Sequence, residues 1–213
     1  MHSIPASTEN ENPSLASPSS ASPTIVGTLV RKIISGGQTG VDRGALIAAI
    51  ELGIEHGGRC PRGRLAEDGP IDARFQLIET ESSAYHVRTQ SNVLESCGTL
   101  ILHRGPLVGG TALTETFALR HQRPCLKIDF REPQPPVRVE VIRAWLRKHR
   151  IAVLNIAGPR ESSQPGITEE TRQLVHDLAT GAFTVRRVRG SLESVATPAS
   201  AGIPLKKGSG TSP

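Results

Sequence analysis

The sequence predicts an α/β fold, a doubly wound sandwich of three layers around a parallel sheet of about five strands. Three observations carry this. Short, near-continuous apolar runs alternate with segments of helical period through residues 29–181. Two of those runs pass straight into glycine-rich turns that open helices. The chain has no internal repeat, and no apolar run reaches the roughly 18 residues a membrane-spanning helix needs.

Residues 29–35 (LVRKIIS) read as the first strand, followed by GGQTG and a helix over 43–52 with Ala45, Leu46, Ala49 and Ile50 on its apolar face. Residues 75–80 (FQLIET) read as a short strand and 83–96 as a helix. The run 98–103 (GTLILH) is a strand that turns into a helix over 111–121. Residues 125–130 (CLKIDF) form the next strand. The helix over 137–149 is expected to turn Val137, Val141, Trp145 and Leu146 inward. A strand at 151–157 (IAVLNIA) precedes a last helix over 168–178, marked by the acidic first turn Thr168-Glu169-Glu170-Thr171.

With 213 residues, one domain with tails is expected. Residues 1–28 read as a disordered Ser/Pro-rich leader, 29–181 as the ligand-binding domain, and 182–213 as a disordered basic tail. The formal charge of +5 is unevenly spread. The body carries 20 Lys and Arg against 17 Asp and Glu, whereas the tail carries five basic residues against Glu193 alone. Aromatics are 3%, too few for a base-stacking sheet, so nucleic acid is disfavoured as a partner. No basic-then-apolar leader is present, and a cytoplasmic protein is expected. Three Cys without a CxxC make neither a disulfide framework nor a structural zinc site, and no metal site is expected. Cys60, before a proline, reads as the most accessible thiol, and Cys125, opening a strand, as a buried one.

Four segments carry chemistry. In Ser35-Gly36-Gly37-Gln38-Thr39-Gly40-Val41-Asp42-Arg43-Gly44 the glycines let a ligand approach the backbone, and the helix N-terminus suits a phosphate. The segment is neither GxGxxG nor a P-loop, and simple turn geometry is the competing reading. Gly109-Gly110-Thr111 with Thr114 repeats the arrangement one strand later, so the two loops can hold one phosphorylated ligand between them. The charged loop 60–71 offers Arg62 and Arg64 to an oxyanion, with Glu67 and Asp68 to orient them or to meet a heterocycle. A solvated loop with internal ion pairs is the alternative there. Arg88 and Asn92, four residues apart, share one helix face.

Taken together, GGQTGVDRGAL, GGRCPRGRLAEDGPI, RTQSNVLES and TLIL…GGTALTETFA resemble the proposed molybdenum-cofactor carrier family. The resemblance spans residues 31–160. It implies a Rossmann-like fold, in a superfamily shared with the "lysine decarboxylase-like" phosphoribohydrolases and the DprA proteins. It also implies molybdenum cofactor as the bound ligand: a pterin with a dithiolene, a phosphate and a molybdenum oxo group. The phosphate suits a helix N-terminus, and the oxo oxygens suit Arg62 and Arg64. The pterin edge suits Asn92, Glu67 or Asp68. Molybdoenzymes are the partners implied, and a homo-oligomer is expected. Two positions depart from the pattern: Arg59, where the family often has an aromatic, and Cys97, where it often has an acid. In the phosphoribohydrolase motif PGGxGTxxE the acid falls at Thr114 here, with Glu115 one residue further. Binding is therefore the first reading. Hydrolysis of an N-glycosidic bond by Glu67, Asp68 or Glu115 is the alternative.

Overall fold

The computed structural model describes residue 25, residues 28–132 and residues 135–180, with nothing stated of the side chains at 135 and 136. Most of the leader and the whole tail lie outside the described residues.

In chain order the elements are β1 Lys32–Ile34, α1 Val41–Glu51, β2 Glu55–Gly57, β3 Arg59–Cys60, β4 Leu65–Ala66, β5 Gly69–Pro70 and β6 Ile78–Glu79. They continue with α2 Tyr85–Glu95, β7 Gly98–His103, α3 Gly109–Arg120, β8 Cys125–Asp129, α4 Pro135–Lys148, β9 Val153–Ala157 and α5 Ile167–Thr180. Five strands form one sheet in the order β2-β1-β9-β7-β8, every pair parallel. The last strand therefore sits at the centre. Ile33 stands beside Leu154, and Leu100 beside Ile156.

Side chains alternate across a strand, so each strand feeds both faces. Ile33, Leu100, Leu102, Leu154 and Ile156 join Val41, Ala45 and Ala48 of α1, Ile142 and Leu146 of α4, and Leu174 and Val175 of α5 in one core. On the other face α2 and α3 pack through Val93, Phe117 and Ala118. This is the three-layer α/β sandwich expected. Among the described residues no helix is long and apolar enough to cross a membrane.

Three expectations are corrected. Residues 75–80 do not enter the main sheet. Only Ile78–Glu79 is extended, paired with Arg59–Cys60, while Phe75 and Leu77 fill a second small core with Leu46, Cys60 and Ile71. The fifth strand is β2 instead, an edge strand whose Glu55 and His56 need no apolar run because they reach solvent. The inward face of α4 is Val139, Ile142 and Leu146, at i, i+3 and i+7; Val137 and Val141 are exposed and Trp145 half-buried. Cys60 is fully buried in the second core, and Cys125 only partly so.

Candidate functional site

A parallel sheet presents all its strand-to-helix loops at its carboxyl edge. Because β9 lies between β1 and β7, the loops that follow these three strands stand side by side. Between them and the start of α2 lies a cleft of about 430 Å³, within the range of small-ligand sites.

The loop after β1 supplies the floor. Arg88 of α2 lies across Gly36, where a Cβ would stand 1.6 Å from Arg88 Nη1, so any larger residue there would displace the guanidinium. Arg88 donates to Asp42 Oδ2 at 3.0 Å, and Asp42 is 2% exposed. Burial pushes the Asp42 carboxyl above its ordinary value; the charge and hydrogen bond of Arg88 oppose this without reversing it. The buried carboxylate sits in the first turn of α1, where the helix dipole favours it. The α1 terminus is thus largely committed to the protein itself. Val41 N donates to Pro159 O at 3.2 Å, and Thr39 N to Gln38 Oε1 at 3.0 Å.

The second wall is the start of α3. No side chain caps this helix, and an added Cβ at Gly109 or Gly110 would meet nothing within 4 Å. Gly109 has a φ of 52°. The helix terminus is therefore bare toward open space, the geometry that suits an anion.

The third wall, residues 158–164, carried no weight in the sequence. Gly158 after strand 151–157, with serines at 162 and 163, was the available signal: a third apolar strand ending in glycine. Glu67 ties this wall to the other loops. It accepts from Ser162 Oγ at 2.5 Å and from Thr39 Oγ1, and Glu67 N donates to Gln38 Oε1 at 2.9 Å. Burial pushes the Glu67 carboxyl up, but hydrogen bonds from Ser162 and Thr39 outweigh it, and the net shift is downward. Glu161 caps α5 by accepting from Thr168 N at 3.0 Å and Thr168 Oγ1 at 2.6 Å, which holds its carboxyl below its ordinary value. Arg160 and Tyr85 face each other at the rim, with the guanidinium carbon 5.3 Å from the ring centroid.

Of the residues the sequence singled out, Gln38, Asp42, Arg88, Gly109, Gly110, Thr111 and Thr114 line the cleft. Gly36, Gly37, Thr39, Gly40 and Glu67 shape or latch its loops. The others are held elsewhere. Arg64 donates to the carbonyls of Ile71, Asp72, Phe75 and Leu77, so its fork stitches the loop 64–77 together. Arg43 grips Asp68 with two bonds at 2.9 and 3.1 Å. Asn92 clamps the backbone of Arg59, accepting from its N at 2.7 Å and donating to its O at 3.0 Å. Arg62 is exposed on the loop, outside the cleft lining. Glu115 pairs with Lys127 at 2.6 Å on β8.

The lowered carboxyls set a pH dependence. A group whose pKa falls on folding stabilises the fold above its unfolded value and loses that contribution as pH drops through the folded value. Glu161, Glu67 and Asp68 act in this sense, whereas Asp42, raised by burial, favours the fold on the acid side and loses that contribution as pH rises. Urea unfolding of Glu161→Gln beside the unaltered chain is expected to show the variant less stable at pH 7. That difference should shrink steadily toward pH 3. A pH-independent difference would contradict the cap.

A parallel α/β sandwich with a cleft among the strand-to-helix loops at its carboxyl edge defines a Rossmann-like domain. The model of the circularly permutated YpsA SLOG family matches residues 33–179, and the chain belongs to that family. It is also similar to a crystal structure described as a proposed molybdenum carrier protein from Syntrophus aciditrophicus. The two share 48% identity with a TM-score of 0.69 over 70% of this chain and 94% of the other. No curated protein matches the chain. The family resemblance read from the four motifs therefore holds.

Proposed function

We propose that this protein is a carrier of molybdenum cofactor, holding a phosphorylated pterin or nucleotide-like ligand in the cleft between the loops after β1, β7 and β9. The observation that supports it most is the bare N-terminus of α3 at Gly109 and Gly110, opening on a cleft whose one carboxylate, Asp42, is already neutralised by Arg88. Arg160 adds positive charge at the rim. The similar structure, described as a proposed molybdenum carrier, supports a molybdenum-bearing cargo. In this reading the amides of Gly109 and Gly110 take the phosphate, and a molybdoenzyme in the cytoplasm receives the cofactor from a homo-oligomeric carrier. Carriage is preferred to glycosidic hydrolysis because Glu67, Asp68 and Glu115 are all engaged by protein partners and none of them lines the cleft.

Native mass spectrometry of the purified protein is expected to show a phosphorylated pterin adduct. Gly110→Asp sets a carboxylate in the open space at the α3 terminus, and it should weaken cofactor binding at least about tenfold, or ~1.4 kcal/mol. Its melting temperature should barely move, because the added Cβ meets nothing. Failure to retain the cofactor at micromolar protein would sink the proposal.

A further inference from the structure

The residues expected to read the edge of a pterin are not free to do so. Both amide atoms of Asn92 are spent on Arg59, Asp68 is held by Arg43, and Glu67 by Ser162 and Thr39. Gln38 differs. It lines the cleft and is 4% exposed. Its Oε1 accepts from two backbone amides, Thr39 N at 3.0 Å and Glu67 N at 2.9 Å. That double acceptance fixes which way the amide points, so Nε2 is a donor. This Nε2 is buried and has no hydrogen-bond partner among the described residues. Buried donors left unpaired are rare and call for an acceptor. Nearby, Tyr85 is the chain's only tyrosine and is 38% exposed at the rim beneath Arg160. An aromatic face and a guanidinium together suit a flat ring.

We infer that the cleft selects a planar heteroaromatic ring bearing a hydrogen-bond acceptor, with Gln38 Nε2 as the specificity-determining donor and the stacked Tyr85–Arg160 pair as the platform on which the ring packs. The inference rests on the proposed function, and it assigns the ring end of the same ligand. An anion alone, such as phosphate or molybdate, can accept from Nε2 but has no flat face to stack on the tyrosine ring. Guanine carries the same carbonyl and amino edge as a pterin, so guanosine 5′-monophosphate is a suitable probe.

The test compares guanosine 5′-monophosphate, ribose 5-phosphate and inorganic phosphate by titration calorimetry at pH 8, with the full chain. The nucleotide is expected to bind at least about tenfold tighter than ribose 5-phosphate. It should also shift the ring resonances of the single tyrosine. Gln38→Glu keeps the two bonds accepted by Oε1 but turns the donor into an acceptor, so the preference should vanish. Tyr85→Leu, at a partly exposed site, should reduce it as well. Equal affinity for the two organic phosphates, or a preference untouched by Gln38→Glu, would overturn this inference and leave the anion end standing. Binding of none of the three probes would overturn it together with the proposed function.

Discussion

Arg88→Ala is expected to lower the unfolding free energy by about 3–5 kcal/mol near neutral pH. The size of the effect comes from what the substitution leaves behind. Asp42 would remain enclosed at 2% exposure with its countercharge gone. Its remaining partners are Gln38 N, at 3.4 Å, and the Ser35 hydroxyl. The guanidinium also fills the space over Gly36, so packing is lost with the charge. The stranded carboxylate can escape by taking up a proton. The deficit should therefore shrink as pH falls, the direction set by a carboxyl that burial already pushes up. Removing Asp42 as well should recover part of the loss, because no orphaned charge then remains. Guanidinium denaturation of the single and double variants reads all three outcomes. A deficit below about 1 kcal/mol for Arg88→Ala would show that the pair is not the anchor of the cleft floor.

Gly158→Ala is the second change with a large expected effect. A Cβ there would stand 2.3 Å from Leu102 O of β7 and 2.5 Å from Val41 Cγ2 of α1. The first contact is with backbone, which cannot swing aside. Overpacking of this kind costs about 1–3 kcal/mol, and in a domain of this size each kcal/mol lowers Tm by roughly 2–4 °C. Function should suffer more than stability. The displaced segment is the third wall, and Pro159 O, which accepts from Val41 N at 3.2 Å, moves with it. Retention of the proposed cofactor cargo is therefore expected to fall even at temperatures where the variant is folded. An unchanged melting temperature would mean that the loop after β9 is not pinned against β7.

Much of the fold was legible because buried parallel strands and the inward faces of helices leave periodic apolar traces. Runs such as GTLILH and IAVLNIA mark strands enclosed on both faces. Glu55–Gly57 left no trace, because an edge strand in contact with water can carry Glu and His. FQLIET misled in the opposite sense: Phe75 and Leu77 are apolar because they plug a small core, not because they are in the sheet. The α4 error was one of phase, in a helix with Val137 and Val141 exposed beside a true inward row.

The site was legible at its glycines and opaque at its charges. A glycine-rich turn after a strand announces its place at the sheet edge whatever surrounds it. An arginine announces only its donors. Arg64 spends its donors on four carbonyls and Arg88 keeps its place over Gly36, yet the sequence presented them as equals. The segment 158–164 escaped notice because its role depends on which strands β9 lies between, and strand order is a long-range property.

That strand order also governs when the protein becomes competent. Among the described residues β9 is the last strand synthesised, yet it separates β1 from β7, and Ser35 reaches across 121 positions to the Ile156 carbonyl. Until β9 arrives, the partly made chain has two unpaired inner strand edges of the kind that seed aggregation. Closing the sheet over so long a separation is slow compared with forming the local helices. Sheet completion and assembly of the cleft are thus one event, and a chain stopped short of β9 would have neither.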